Sequence, residues 1–113
     1  MADSDDTEVL SVTTTLGSHD EARALAAHIL EARLAGCVQL DTSVTSLYRW
    51  EGRLCDEQEV RLVIKTAPGY EARLQELFAR HHPYDLPQFL VARMRASPAY
   101  GQWIRQQLDV AAG

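Results

Sequence analysis

From Cys37 to Trp50 the sequence keeps a period of two, and beyond a turn at Glu51-Gly52-Arg53 the return stretch alternates again. There Val60, Leu62 and Ile64 oppose Glu59, Arg61, Val63 and Lys65. That period belongs to β-strands, so the middle of the chain is a hairpin. In its first strand Val38, Leu40, Thr42, Val44, Ser46, Tyr48 and Trp50 share one parity. A turn over residues 51 to 54 places Trp50 near residue 55 and Tyr48 near residue 57. Fourteen strand residues at about 3.3 Å each span roughly 46 Å. A compact chain of this length is only on the order of 34 Å across. Unless a bulge folds it back, the hairpin overhangs its own domain. The overhang carries Leu47, Tyr48, Trp50 and Leu54, an apolar set too large to leave in water. The arm is therefore expected to pack on a neighbouring subunit, with a bent hairpin covering its own sheet as the alternative.

The flanking segments complete an alternating order. Glu8 to Leu16 reads as a strand rich in β-branched residues, and Gly17 ends it. Ser18 with Glu21 forms a capping box for a helix carrying Ala22, Leu25, Ala26 and Ile29 at helical spacing, with Gly36 expected at its C-terminal cap. After Pro68-Gly69 a second helix carries Tyr70, Leu74, Leu77 and Phe78 and must stop before Pro83. Gln88 to Arg95 reads as a last strand, and Ser97-Pro98 opens a terminal helix. The order β-α-β-β-α-β plus one extra helix predicts an α+β, ferredoxin-like sandwich with an extended hairpin between its second and third strands. Residues 1–7 are polar, acidic and expected to be disordered; residues 8–113 are expected to form a single domain.

Composition narrows the function. Eleven Lys+Arg against sixteen Asp+Glu give a formal charge of −5, which argues against a protein that embraces nucleic-acid phosphates. The longest apolar runs are too short for a transmembrane helix, so no membrane partner is expected. The acidic start Met1-Ala2-Asp3-Ser4-Asp5-Asp6 lacks the basic and apolar regions of a secretion signal, and a cytoplasmic location is expected. Cys37 and Cys55 read as separate thiols, with no CxxC or Cys/His quartet for a closed zinc site.

His81-His82-Pro83-Tyr84 is the most conspicuous polar-aromatic cluster. Two imidazoles suit a borderline ion such as Cu²⁺ or Zn²⁺, although adjacent side chains diverge on extended backbone, and helix-end capping or a hydrogen-bonded core role is the commoner reading of such a pair. His19 and His28 read as first-turn and surface residues of the first helix. Glu59, Lys65, Tyr48 and Trp50 lie on paired strands, where they line a polar pocket or form cross-strand pairs on a solvated face. Cys37 is a thiolate candidate or a small apolar strand residue. Gly17-Ser18, at a helix start, is a weak anion signal. No phosphate-binding glycine loop, nucleophile elbow or catalytic triad is present.

The blocks EARLAGCVQL, TSLYRWEGRL, EVRLVIKT, HHPYDLPQFL and AYGQWI follow one another in an order and spacing that resembles the CutA divalent-cation tolerance proteins, from about Val9 to Leu108. The resemblance implies a homotrimer of ferredoxin-like subunits, similar in architecture to the PII signalling proteins, with the hairpin in the subunit contacts. It implies a non-enzymatic role in tolerance to copper and other divalent cations, with His81 and His82 as the metal ligands. Cys37, Tyr48, Trp50, Glu59, Lys65 and Tyr84 would then surround the ligand pocket. The bound ion would be Cu²⁺ or another divalent cation, and none would be required for folding. The chain departs from the family pattern at Thr14, where some members carry a cysteine, at Gln39, in Asp41-Thr42-Ser43, which lacks a proline, and at Gln88, where a glutamate is common. The alternative is a PII-like module that binds a small metabolite or anion between subunits through Lys65, Arg53 and the Gly17-Ser18 helix start. An acylphosphatase-like enzyme would need an arginine in Gly17-Ser18-His19-Asp20, which has none.

Overall fold

The computed structural model describes residues 7–109, so the acidic stretch expected to be disordered lies, apart from Thr7, outside the described residues. The elements follow the expected order: β1 Glu8–Leu16, α1 His19–Glu31, β2 Cys37–Trp50, β3 Arg53–Thr66, α2 Glu71–His81, β4 Leu90–Arg95 and α3 Pro98–Gln107. The four strands form one antiparallel sheet in the order β2-β3-β1-β4. Each of α1 and α2 thus carries the chain past one intervening strand, which is the split βαβ arrangement.

Local chemistry sets the helix starts. The Ser18 hydroxyl accepts from the Glu21 N–H at 3.1 Å, and the Ser97 hydroxyl accepts from the Tyr100 N–H at 3.2 Å, each satisfying a donor that the first turn leaves free. The helices lay Leu25, Ile29, Leu74, Leu77 and Phe78 against Val12, Leu16, Leu62 and Ile64 of the sheet. Gly36 does not cap α1. The helix closes earlier, at Ala32, because Arg33 takes the left-handed conformation with φ of 58°. Gly36 instead lies under α3, where a Cβ would come within 2.8 Å of Ile104 Cδ1. The last strand starts at Leu90 rather than Gln88, since Phe89 turns inward and packs edge-on against Phe78 at 5.2 Å between ring centroids.

The hairpin overhangs as its length requires. The molecule measures 51 × 25 × 23 Å with a radius of gyration of 15.1 Å, against about 13 Å for a compact chain of similar length. Its pairing differs from expectation in two ways. The turn has only two central residues, Glu51 and Gly52, both left-handed with φ of 50° and 79°, as the twist of a tight hairpin demands. Trp50 therefore pairs with Arg53 and Tyr48 with Cys55. The second difference is a bulge: Asp41 pairs with Arg61 but Val44 with Glu59, and Ser43 has φ of 67°. One extra residue switches every later side chain to the other face. Val38 and Leu40 share a face with Ile64 and Leu62, whereas Val44, Ser46, Tyr48 and Trp50 share one with Glu59, Glu57, Cys55 and Arg53. The single parity expected from Val38 to Trp50 is broken at that point.

Candidate functional site

The bulge builds the site. By moving Tyr48 and Trp50 onto the face of Glu57 and Glu59, it sets two aromatic rings beside two carboxyl groups. The loop that follows α2 supplies the opposite wall through Pro83, Tyr84, Asp85 and Leu86, and a cleft of about 670 Å³ lies between them. Two phenols fix its acids: Tyr84 donates to Glu59 Oε2 at 2.6 Å, and Tyr48 donates to Glu57 Oε1 at 3.0 Å. Holding a proton against a carboxylate raises a phenol's pKa. Tyr48 is pushed up to about 12, first by the hydrogen bond to Glu57. Tyr84 is raised, first by burial and then by its bond to Glu59. Glu59 is 7% exposed and forms no ion pair among the described residues.

Beneath the cleft lies His82, which is 8% exposed. Its Nδ1 accepts from the Tyr84 N–H at 3.2 Å, which assigns the ring proton to Nε2, placed 3.0 Å from the Thr14 hydroxyl. Burial lowers its pKa, against smaller upward pulls from the Thr15 backbone, Glu21 and Glu59. The chain of contacts Thr14–His82–Tyr84–Glu59 runs from β1 through the end of α2 to β3 and fixes the loop against the hairpin. Thr14 is thus one end of this relay.

His81 turns the other way. It is exposed and stacks on His28 of α1, ring centroids 3.7 Å apart and planes at 14°. Its pKa is lowered, first by lost hydration and then by the charges of His28 and Arg80. Neither His81 nor His82 lines the cleft. Cys37 and Lys65 pair with each other at the opposite end of the hairpin. Lys65 there borders a depression of about 280 Å³ with Arg95, Ser97 and Tyr100, and burial, then contact with Cys37, raises the Tyr100 pKa. Of the residues singled out from sequence, the structure brings together Tyr48, Trp50, Glu59 and Tyr84, supports them with His82, and sets His81, Cys37 and Lys65 elsewhere. Among the described residues no three His, Cys, Asp or Glu side chains converge as a ready metal cage.

A profile of the CutA1 divalent ion tolerance protein family matches residues 10–107. The chain belongs to that family. It is 37% identical over 111 residues to the divalent-cation tolerance protein CutA of Escherichia coli, covering 96% of this chain and 99% of that one. The structure of CutA from Synechococcus elongatus superposes with a TM-score of 0.84 at 36% identity, covering 91% of this chain and 92% of that one. A protein of Archaeoglobus fulgidus described as a periplasmic divalent cation tolerance protein CutA shares the fold, with a TM-score of 0.85 at 24% identity and coverage of 89% and 99%. This CutA1 chain has no helix, among the described residues, long and apolar enough to cross a membrane.

Sequence reasoning missed Glu57 and Asp85, and it read His28 as a surface residue of the first helix, where the structure places it, without its contact to His81. Glu57 and Glu59 stand two apart on an alternating strand and so share a face, a signal visible in the sequence. Asp85 stands in the block HHPYDLPQFL, directly after the cluster that drew notice, whereas His28 meets His81 only through the packing of two helices, which leaves no local trace.

Proposed function

We propose that residues 8–113 form one domain that works as a cytoplasmic, non-enzymatic homotrimer in the response to divalent metal ions. A cation is received in the cleft between the hairpin and the His81-His82-Pro83-Tyr84 segment. The observation that carries this reading is Glu59. It is a buried carboxyl group whose one hydrogen-bond partner among the described residues is the Tyr84 phenol, in a cleft that Glu57 and Asp85 also line. A buried acid without a basic partner favours a cation at its open side. With oxygen donors only and no closed cage, the ion keeps water in several positions, as hard divalent cations do. Imidazole suits copper better, and within the histidine pair His81 is the ring that the fold leaves free, since both nitrogens of His82 are engaged.

Assembly is supported by what the subunit exposes. Leu47 and Leu54 on the arm are 71% and 75% exposed, and Leu90, Val91 and Met94 stand open on edge strand β4. An apolar arm and an apolar edge of this kind call for covering by other copies. The non-enzymatic reading is supported by the two phenols of the cleft, which donate to carboxyl groups and are held protonated, so neither is supplied as a nucleophile. A second reading, a PII-like module for a small anion, is favoured by Lys65 and Arg95, two cationic side chains that both line the smaller depression. Arg53, at the far end of β3, does not join it.

Calorimetric titration of Mn²⁺ into wild type and Glu59→Gln, with mass by light scattering, tests the main reading. Loss of Mn²⁺ affinity in the variant at unchanged trimer mass is expected. Equal affinity would remove the cleft as the cation site, and a single-chain mass would remove the assembly. Stabilisation by nucleotides or carboxylates, and not by metals, would favour the anion reading.

A further inference from the structure

The histidine that the cleft does not use has a partner of its own. His28 stands three residues beyond Leu25 on α1, and His81 three beyond Phe78 on α2, so each lies one helical step from a buried core residue. The packing of those core residues fixes the two helices against each other and brings the imidazoles together, centroids 3.7 Å apart with planes at 14°. Both side chains are exposed, and among the described residues neither ring nitrogen of His28 or His81 has a hydrogen-bond partner. We propose that His28 and His81 together form a two-imidazole site for a divalent transition-metal cation on the helical layer, bridging α1 and α2.

The chemistry follows from the donors. Each neutral imidazole offers one nitrogen lone pair, a ligand suited to Cu²⁺, Ni²⁺ and Zn²⁺, and among these Cu²⁺ binds most tightly. Rings that now lie face to face need only side-chain rotation to turn one nitrogen each toward a common ion. Because both are at the surface, that rotation meets no core packing, and the helix backbones already hold the spacing. Water fills the remaining positions, so the site is open. The inference deepens the copper reading of the His81-His82 segment and rests on it, with one change: the second imidazole comes from α1, not from the adjacent residue. His82 is unsuited because its Nδ1 and Nε2 both hold the relay to Tyr84 and Thr14. The site also lies outside the carboxyl-lined cleft, whose walls include neither ring.

The test is titration of CuCl₂ into the full-length, chelator-stripped protein at about pH 7.5, where an unperturbed imidazole is neutral. Calorimetry gives the affinity and electron paramagnetic resonance the number of nitrogen donors. His28→Ala and His81→Ala, both at exposed positions, are each expected to weaken Cu²⁺ binding by about tenfold or more, since even an outer-shell partner of a metal is worth that much. The resonance of the wild type should show two nitrogens and that of each variant one. His82→Gln, checked for folding by circular dichroism, should keep both the affinity and the two-nitrogen signal. If His81→Ala and His82→Gln weaken binding while His28→Ala does not, the proposal fails and the adjacent pair is the copper site. If wild type binds no copper, or none of the three variants alters binding, the copper reading of the segment falls together with it.

Discussion

The hairpin is made from one alternating pattern, yet its root and its arm have different surroundings. At the root Val38 faces Ile64 and Leu40 faces Leu62, and both β3 partners are fully buried under the helices. Beyond the bulge Leu47 faces Asp56 and Leu54 faces Arg49, with both leucines open to solvent. Alternation thus makes a strand in both places, while burial depends on whether a second layer happens to lie above it. The subunit's helices reach only the root. The largest effect expected from this contrast is on stability at the root: Leu62→Ala should cost about 2–5 kcal/mol, the range for a buried leucine cavity, at any protein concentration. Leu47→Asp with Leu54→Asp should leave the far-ultraviolet dichroism of the subunit intact and instead reduce the mass seen by light scattering to that of one chain. A double variant that keeps the wild-type mass would break the comparison, because the arm would then need no cover from a sister chain.

The same contrast explains what the sequence disclosed. The element order, the two capped helix starts and the length of the hairpin were legible, because capping, period and rise per residue are local quantities. The overhang was legible for the same reason, as a strand too long for a compact body. The face on which Tyr48 and Trp50 lie was not. It depends on one extra residue at Thr42-Ser43, and a bulge is set by the competition between two ladders and not by the identity of either strand. The meeting of Tyr84 with Glu59, and of His81 with His28, required the end of α2 to be placed in three dimensions. Four of the cleft residues were nonetheless singled out, since each stands in a block that resembles the CutA family; Glu57 lies between two such blocks, and Asp85, though inside one, was passed over beside the more conspicuous His81-His82-Pro83-Tyr84.

The cleft offers a sharper version of the contrast, because it contains the same bond twice. Tyr84 donates to a buried glutamate and Tyr48 to an exposed one. Removing the Tyr84 hydroxyl leaves the Glu59 carboxyl without its phenol in a place that water reaches poorly, and Tyr84→Phe should destabilise the protein by about 1–3 kcal/mol, the cost of an unsatisfied buried polar group. On the arm, water replaces the lost donor, so Tyr48→Phe should stay within about 0.5 kcal/mol, as surface changes do. Denaturant midpoints of the two variants, measured side by side, give the difference directly. Equal losses would mean that the arm's face at Tyr48 is as dry as the surroundings of Glu59, which only a neighbouring chain pressed over Tyr48 would bring about.

The third effect is absent at neutral pH and emerges on acidification, again dividing a buried group from an exposed one. His82 is enclosed and His81 is not, and the pKa of each is lowered from its ordinary value. For His82 the first cause is burial, so the folded state resists the proton that the unfolded chain accepts near pH 6.5. The unfolded state then binds more protons, and stability rises with pH across that window. Read downward, stability is fully present above about pH 6.5 and is lost as the pH falls through the lowered folded value. The relay adds a structural reason: a proton on Nδ1 would remove the acceptor for the Tyr84 N–H and loosen the phenol that holds Glu59. Unfolding followed from pH 7.5 to 5 in the presence of a chelator should therefore show a loss that His82→Gln abolishes and that His81→Gln, at the exposed ring, changes much less. Should the His81 variant flatten the profile as much as the His82 variant, the stacked pair on the helical layer, and not the buried relay, would be the group that the acid limb reports.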